Sequence, residues 1–179
     1  MTSNLLRPTP AFFPLSCHVQ SPQATVRTLR VSVHRVAAGL ALRYVLEGDT
    51  SRLRIAAPAL ALAADELWRH TCFEAFIATA DGAAYHEFNF SPSGEWAAYA
   101  FHRYRERAGD LPQLDPGIAA RVDAARLDLT ATIVNSLLPT TAGALRVGLC
   151  AVIEDAAGEL SYWALKHAAD KPDFHQRTA

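Results

Sequence analysis

An all-β chain, folded as an antiparallel β-sandwich of jelly-roll type, is what this sequence predicts, and three observations predict it. Apolar and polar residues alternate with period two over long stretches. Gly, Asp, Ser and Pro punctuate those stretches at short intervals. Little of the chain carries a firm helical period. Roughly eight or nine short strands joined by turns are the expected result.

The elements follow in order. Residues 1–25 are Pro-rich and aperiodic, which suits an extended arm or a loosely attached first strand, ahead of one sandwich domain over 26–179. Val26 to Val36 alternates, with Leu29, Val31 and Val33 in step. Leu40 to Glu47 is the next strand, with Leu40, Leu42, Tyr44 and Leu46 on one side and Gly39 and Gly48-Asp49 at its ends. Leu53 to Ile55 is short. Ala56 to Leu67 is Ala-rich and suits a helical turn or a loop, with Asp65 as a possible cap. Tyr104 to Gly117 contains Gly109, Pro112 and Pro116 and reads as a long loop. Ile118 to Arg126 is ambiguous. Leu127 to Val134 returns to period two, and Leu145 to Ile153 pairs with Leu160 to Lys166 across a turn near Asp155 to Gly158.

The most informative stretch is Trp68 to Tyr99, where Asp81-Gly82 and Ser93-Gly94 divide three short strands. With Asp81-Gly82 as a two-residue hairpin centre, Phe73 faces Phe90, Glu74 faces Asn89, Ala75 faces Phe88 and Phe76 faces Glu87. With Ser93-Gly94 as the next centre, Phe90 faces Ala97, Phe88 faces Tyr99, Glu87 faces Ala100 and Asn89 faces Ala98. The expected core face is then Phe73, Ala75, Ile77, Phe88, Phe90, Tyr99 and Phe101. The other face carries Glu74, Glu87 and Asn89 beside the small Ala98 and Ala100, with Trp96 and His102 further along. Carboxylates and an amide beside small residues and an aromatic leave room for a ligand. The same pattern also fits the solvated face of an antiparallel sheet.

Composition bounds the partners. Lys and Arg number 17 against 18 Asp and Glu, a net charge of -1 with no basic block, which argues against nucleic acid. Apolar runs are short and broken, so no membrane-spanning stretch is expected. Three widely spaced cysteines, Cys17, Cys72 and Cys150, form no CxxC and suit free thiols in a reducing compartment. The apolar cluster Ala11-Phe12-Phe13 lies between Pro10 and Pro14, a poor signal peptide. A cytoplasmic protein is the expectation.

The strings W-R-H-T-C-F-E (Trp68 to Glu74) and Y-H-E-F-N-F-S-P-S-G-E-W (Tyr85 to Trp96) resemble those of bacterial DOMON-like proteins related to family 9 carbohydrate-binding modules. So do S-Y-W-A-L-K-H (Ser161 to His167) and K-P-D-F-H (Lys171 to His175). The resemblance runs from about Val26 to His175. It implies a jelly-roll sandwich with one ligand pocket, which takes sugars or haem across the wider superfamily. In sugar-binding relatives, rings sandwich the sugar while carboxylates and amides bind its hydroxyls. Trp68, Trp96 and Trp163 match as rings, and Glu74, Glu87 and Asn89 as polar contacts. Trp68 also reads as an edge plug, and Trp163 as a core residue beside Leu165.

The expected function is a non-catalytic binding domain for a small polar ligand, most plausibly a saccharide. Vicinal hydroxyls pair with fixed carboxylates and amides, and sugar CH faces stack on Trp. No cofactor is expected. Haem is the alternative, which the superfamily meets with a His–Met pair; the sole Met here is Met1. A suitable pair among the seven histidines would be needed, with His70 and His102 able to lie on the ligand face and His167 following Trp163 on the final strand. An enzyme is a third class, since Glu74 and Glu87 would be diagonal neighbours about 7 Å apart. No G-x-S-x-G, P-loop or dinucleotide fingerprint is present. Metal binding by His70 with Glu74 is disfavoured, because positions i and i+4 of a strand lie about 13 Å apart. A protein partner for the edge strands and the Pro-rich arm stays open.

Overall fold

In the computed structural model, which describes residues 11–141, 143–168 and 170–176, eleven strands run antiparallel in one continuous ladder. They are β1 (Phe13–Cys17), β2 (Val26–Val36), β3 (Gly39–Gly48), β4 (Cys72–Thr79), β5 (Tyr85–Phe90), β6 (Trp96–Arg103), β7 (Glu106–Asp110), β8 (Ala119–Asp123), β9 (Arg126–Val134), β10 (Leu145–Glu154) and β11 (Leu160–Ala164). The spatial order is β7-β6-β5-β4-β10-β11-β1-β2-β3-β9-β8. β1 joins the halves, pairing with β2 through Phe13 to Leu15 and with β11 through Ser16 and Cys17. The ladder bends there into two facing layers, a β-sandwich. Residues 1–10 of the expected N-terminal arm lie outside the described residues; Phe13–Cys17 is a strand.

Period two explains the layers. Leu29 and Val31 of β2, Leu42, Tyr44 and Leu46 of β3, and Leu127, Leu129 and Ile133 of β9 point inward from one layer. Phe73, Ala75 and Ile77 of β4, Phe88 and Phe90 of β5, and Leu149, Ala151 and Ile153 of β10 answer from the other. Tyr44 and Phe73 meet across the interface with ring centroids 5.0 Å apart. The Tyr44 hydroxyl donates to the Glu74 backbone carbonyl at 2.7 Å, tying the layers at the middle of β4.

The first hairpin has the register expected, with Glu74 opposite Asn89 and Phe76 opposite Glu87. The second does not. Phe90 pairs with Trp96, Phe88 with Ala98 and Glu87 with Tyr99. The turn is one residue longer than a two-residue hairpin: the Ser91 N–H donates to the Glu95 carbonyl, leaving Pro92, Ser93 and Gly94 as its loop. Gly94 takes φ 96, a conformation that L side chains rarely adopt and that closes three-residue hairpins. A slip of one residue exchanges the faces of the whole strand. Tyr99 and Phe101 therefore leave the expected core face for the side of Glu87, while Trp96, Ala98 and Ala100 turn the other way.

Two further differences come from exposure. The stretch expected as a loop, Tyr104 to Gly117, contains β7, and the ambiguous Ile118 to Arg126 contains β8. Both are edge strands, β7 fully exposed, so no buried stripe marks them in the sequence. The Ala-rich stretch is an extended loop ending in a 3-10 turn at Leu67–Arg69. It is fixed against the start of β6, where the Trp96 N–H donates to the Leu62 carbonyl and the Ala64 N–H to that of Trp96. No helix among the described residues is long and apolar enough to cross a membrane.

Replacing Tyr44 by Phe keeps the ring packing and removes the hydroxyl tie to Glu74. We expect a loss of about 1 to 2 kcal/mol in urea denaturation, with an unchanged midpoint as the outcome that would deny the tie any weight.

Candidate functional site

The outward face of β4, β5, β6, β10 and β11 is where the polar residues of the central motif collect. Alternation puts Glu74 and Phe76 of β4, Glu87 and Asn89 of β5, and Tyr99 and Phe101 of β6 on that face. Cys150 of β10 lies directly opposite Glu74. The loop before β4 and the C-terminal segment 171–175 rise on either side. Between them is a cavity of about 720 Å³, within the range of small-molecule sites.

Its floor is unusual for an outward sheet face, because the carboxylates are buried. Glu74 is 3% exposed, Glu87 5% and Asn89 0%. The Asn89 amide donates to Glu87 Oε1 at 2.8 Å, and the Cys150 thiol lies 3.8 Å from Glu74 Oε2. Glu74 Oε1 has no hydrogen-bond partner among the described residues. Burial pushes the Glu74 carboxyl well above the ordinary carboxylate range, and the charge of Glu87 adds to that. Burial raises Glu87 as well, against the Asn89 amide and the positive charges of Arg107 and Arg105.

The walls are aromatic. Trp68, in the 3-10 turn, is 43% exposed at the rim, with the Arg69 guanidinium 5.3 Å from its ring centre. Tyr99 donates its hydroxyl to Asp65, which that bond holds below the usual carboxylate range. Arg107 lies over the Tyr99 ring at 4.1 Å.

The C-terminal segment is pinned across one end. Asp173 takes the Tyr104 hydroxyl at 2.6 Å and the Arg105 guanidinium at 2.9 Å. Phe174 meets Tyr162 with centroids 6.1 Å apart. The His175 ring packs edge-on against Phe76, Tyr85 and Phe101. Its Nδ1 lies 2.8 Å from the Tyr85 hydroxyl, and its Nε2 3.8 Å from Glu87 Oε2. Burial, helped by Arg105 and opposed by Asp173, lowers His175 to about 4. The ring is therefore neutral at ordinary pH.

The expected site residues thus fall into two groups. Trp68, Glu74 and Glu87 line the cavity, and Asn89 supports Glu87 from beneath. The other four lie elsewhere. His70 stands outside the lining with Nδ1 2.7 Å from Glu154 Oε2. Trp96 is turned away by the register of the second hairpin and is buried opposite Phe90, its Nε1 unpartnered among the described residues. His102, on the same side of β6 as Trp96, is exposed. Trp163 belongs to the inner core, where its Nε1 donates to the Ser161 hydroxyl at 3.0 Å.

The sequence reading missed Asp65, Tyr99, Phe101, Arg105, Arg107, Asp173 and His175. Tyr99 and Phe101 were recoverable from Pro92-Ser93-Gly94 read as a three-residue loop. Asp173 and His175 lie in the quoted K-P-D-F-H string, but no periodicity tells which surface such a segment crosses.

No family model matches the chain, and no curated protein matches it. Among solved structures, a proposed carbohydrate-binding protein from Bacteroides uniformis ATCC 8492 superposes with a TM-score of 0.65 at 13% identity. The match covers 93% of this chain and 82% of that one. The two share the sandwich fold.

The raised Glu74 carboxyl makes stability depend on pH. Between the ordinary carboxylate range and the higher value in the fold, the native protein holds a proton that the unfolded chain has lost, so Glu74 lowers stability as pH rises. Glu74→Gln removes that dependence. Its melting temperature should gain on that of the unsubstituted protein as the pH rises above the ordinary carboxylate range, and parallel melting curves would show that Glu74 is not held protonated.

Proposed function

We propose that this chain is a non-catalytic binding protein for a small polar ligand of the saccharide class, held in the cavity on the outward face of β4, β5 and β6. The observation that carries this reading is the floor: two buried carboxyls on neighbouring strands, one with an oxygen that no group among the described residues satisfies. A buried polar atom without a partner is costly, and a ligand hydroxyl supplies the missing donor. Trp68 at the rim offers an aromatic face against which the CH face of a sugar can stack.

Two likenesses run the same way. The motifs around Glu74, Glu87 and Trp96 resemble DOMON-like domains related to family 9 carbohydrate-binding modules. The B. uniformis protein of the same fold is itself proposed to bind carbohydrate. Haem held by two histidines would need a pair at one site, and of the seven histidines His175 alone lines the cavity.

A thermal-shift screen against mono- and disaccharides and nucleotide sugars tests the reading. A ligand that binds only the native state adds about 2.7 kcal/mol at a hundredfold excess over its Kd. At least one saccharide should raise the melting temperature of the unsubstituted protein. The shift should disappear in Glu87→Gln and shrink in Trp68→Ala. No shift with any saccharide, or one that both variants retain in full, would sink this assignment.

A further inference from the structure

The floor of the cavity carries two buried carboxyls and, at Glu74 Oε1, an acceptor that no donor reaches among the described residues. Among the described residues no cation lies within hydrogen-bonding distance of Glu74 or Glu87. The two arginines nearby are committed elsewhere. Arg105 holds Asp173 at 2.9 Å, and Arg107 holds Asp110 at 2.5 Å while lying over Tyr99. Lys171 stands exposed at the rim. His175 comes nearest, at 3.8 Å from Glu87 Oε2. Burial keeps its ring neutral, with Nδ1 2.8 Å from the Tyr85 hydroxyl.

We propose that the cavity selects a saccharide bearing a free amine, whose ammonium group docks between Glu74 and Glu87. This rests on the saccharide reading above and narrows it. An ammonium carries three donors and no acceptor. It can supply the donor that Glu74 Oε1, the buried oxygen left without a partner, lacks, and keeps two more for the Glu87 carboxyl on the neighbouring strand. It also brings the positive charge that two buried carboxylates require if both are to be ionised. A hydroxyl offers one donor and no charge. The rings nearest the floor add to the preference: Phe76 and Tyr99 stand opposite Glu87 on the two neighbouring strands, and aromatic faces attract cations. An N-acetylated amine loses the charge and introduces a carbonyl acceptor among carboxylates that are themselves acceptors.

Isothermal titration calorimetry at about pH 6, where a sugar amine is protonated, tests the proposal on the full chain. Glucosamine and galactosamine should bind at least about tenfold more tightly than glucose, galactose or N-acetylglucosamine. The advantage should collapse in Glu74→Gln and Glu87→Gln, each confirmed as folded by its melting curve. Neutral and amino sugars binding alike would overturn the amine preference and leave the saccharide assignment standing. An amine advantage that survives both substitutions would overturn the docking position. No binding by any of the five sugars would overturn both.

Discussion

Glu74 sits at the point on which the rest of the architecture depends, because one residue of β4 serves both sides of its sheet. Its backbone carbonyl takes the Tyr44 hydroxyl from the opposite layer at 2.7 Å. Its side chain points the other way, into the cavity. On one side the neighbouring residues Phe73 and Ala75 complete the core; on the other a carboxyl is held away from water. The position cannot relax by turning outward, since outward is where the cavity lies. Desolvation raises that carboxyl and so favours its protonated form, and the effect stays local because the core beneath is already closed by apolar side chains.

The same economy governs the cavity's surroundings. Arg105 and Arg107 follow β6 closely in the chain, yet neither reaches the floor, because Asp173, Asp110 and the Tyr99 ring engage them first. Those contacts position the walls. Asp173 anchors the C-terminal segment, which brings His175 over Phe76, Tyr85 and Phe101. A protonated His175 would neutralise Glu87, but burial among three rings keeps it neutral. The guanidinium groups thus stay with Asp173, Asp110 and the Tyr99 ring, and the two carboxyls lie buried without an arginine bonded to them among the described residues.

Much of this was legible in the chain, and what was not has definite causes. Period-two alternation identified the inward faces of β2, β3 and β4 because one-sided burial imposes that pattern on the residues themselves. The first hairpin was readable from Asp81-Gly82, and with it the neighbourhood of Glu74, Glu87 and Asn89. The second was not, because Ser93-Gly94 fits a two-residue or a three-residue loop equally well. Only the Ser91 to Glu95 hydrogen bond settles the count. One residue of turn then moved Trp96 and His102 away from the cavity and brought Tyr99 and Phe101 toward it. β7 and β8 escaped notice because an exposed edge strand carries no apolar stripe. The placement of Asp173 and His175 depends on contacts with β5, β6 and the turn after β6, which no local pattern encodes.

Alternation also explains how a fold can be shared while a site is not. In a strand, successive side chains belong to opposite faces, so the inward set of β4, β5 and β10 can be kept while the outward set changes without a cavity opening in the core. A protein with 13% identity can therefore hold the same sandwich, and the likeness speaks for the inward residues. Whatever this chain recognises is determined by the outward ones. There the polar character of Glu74, Glu87 and Asn89 runs against what burial would select for stability alone. Hydrophobic residues at those positions would pack against Phe76 and Val152 with no desolvation cost.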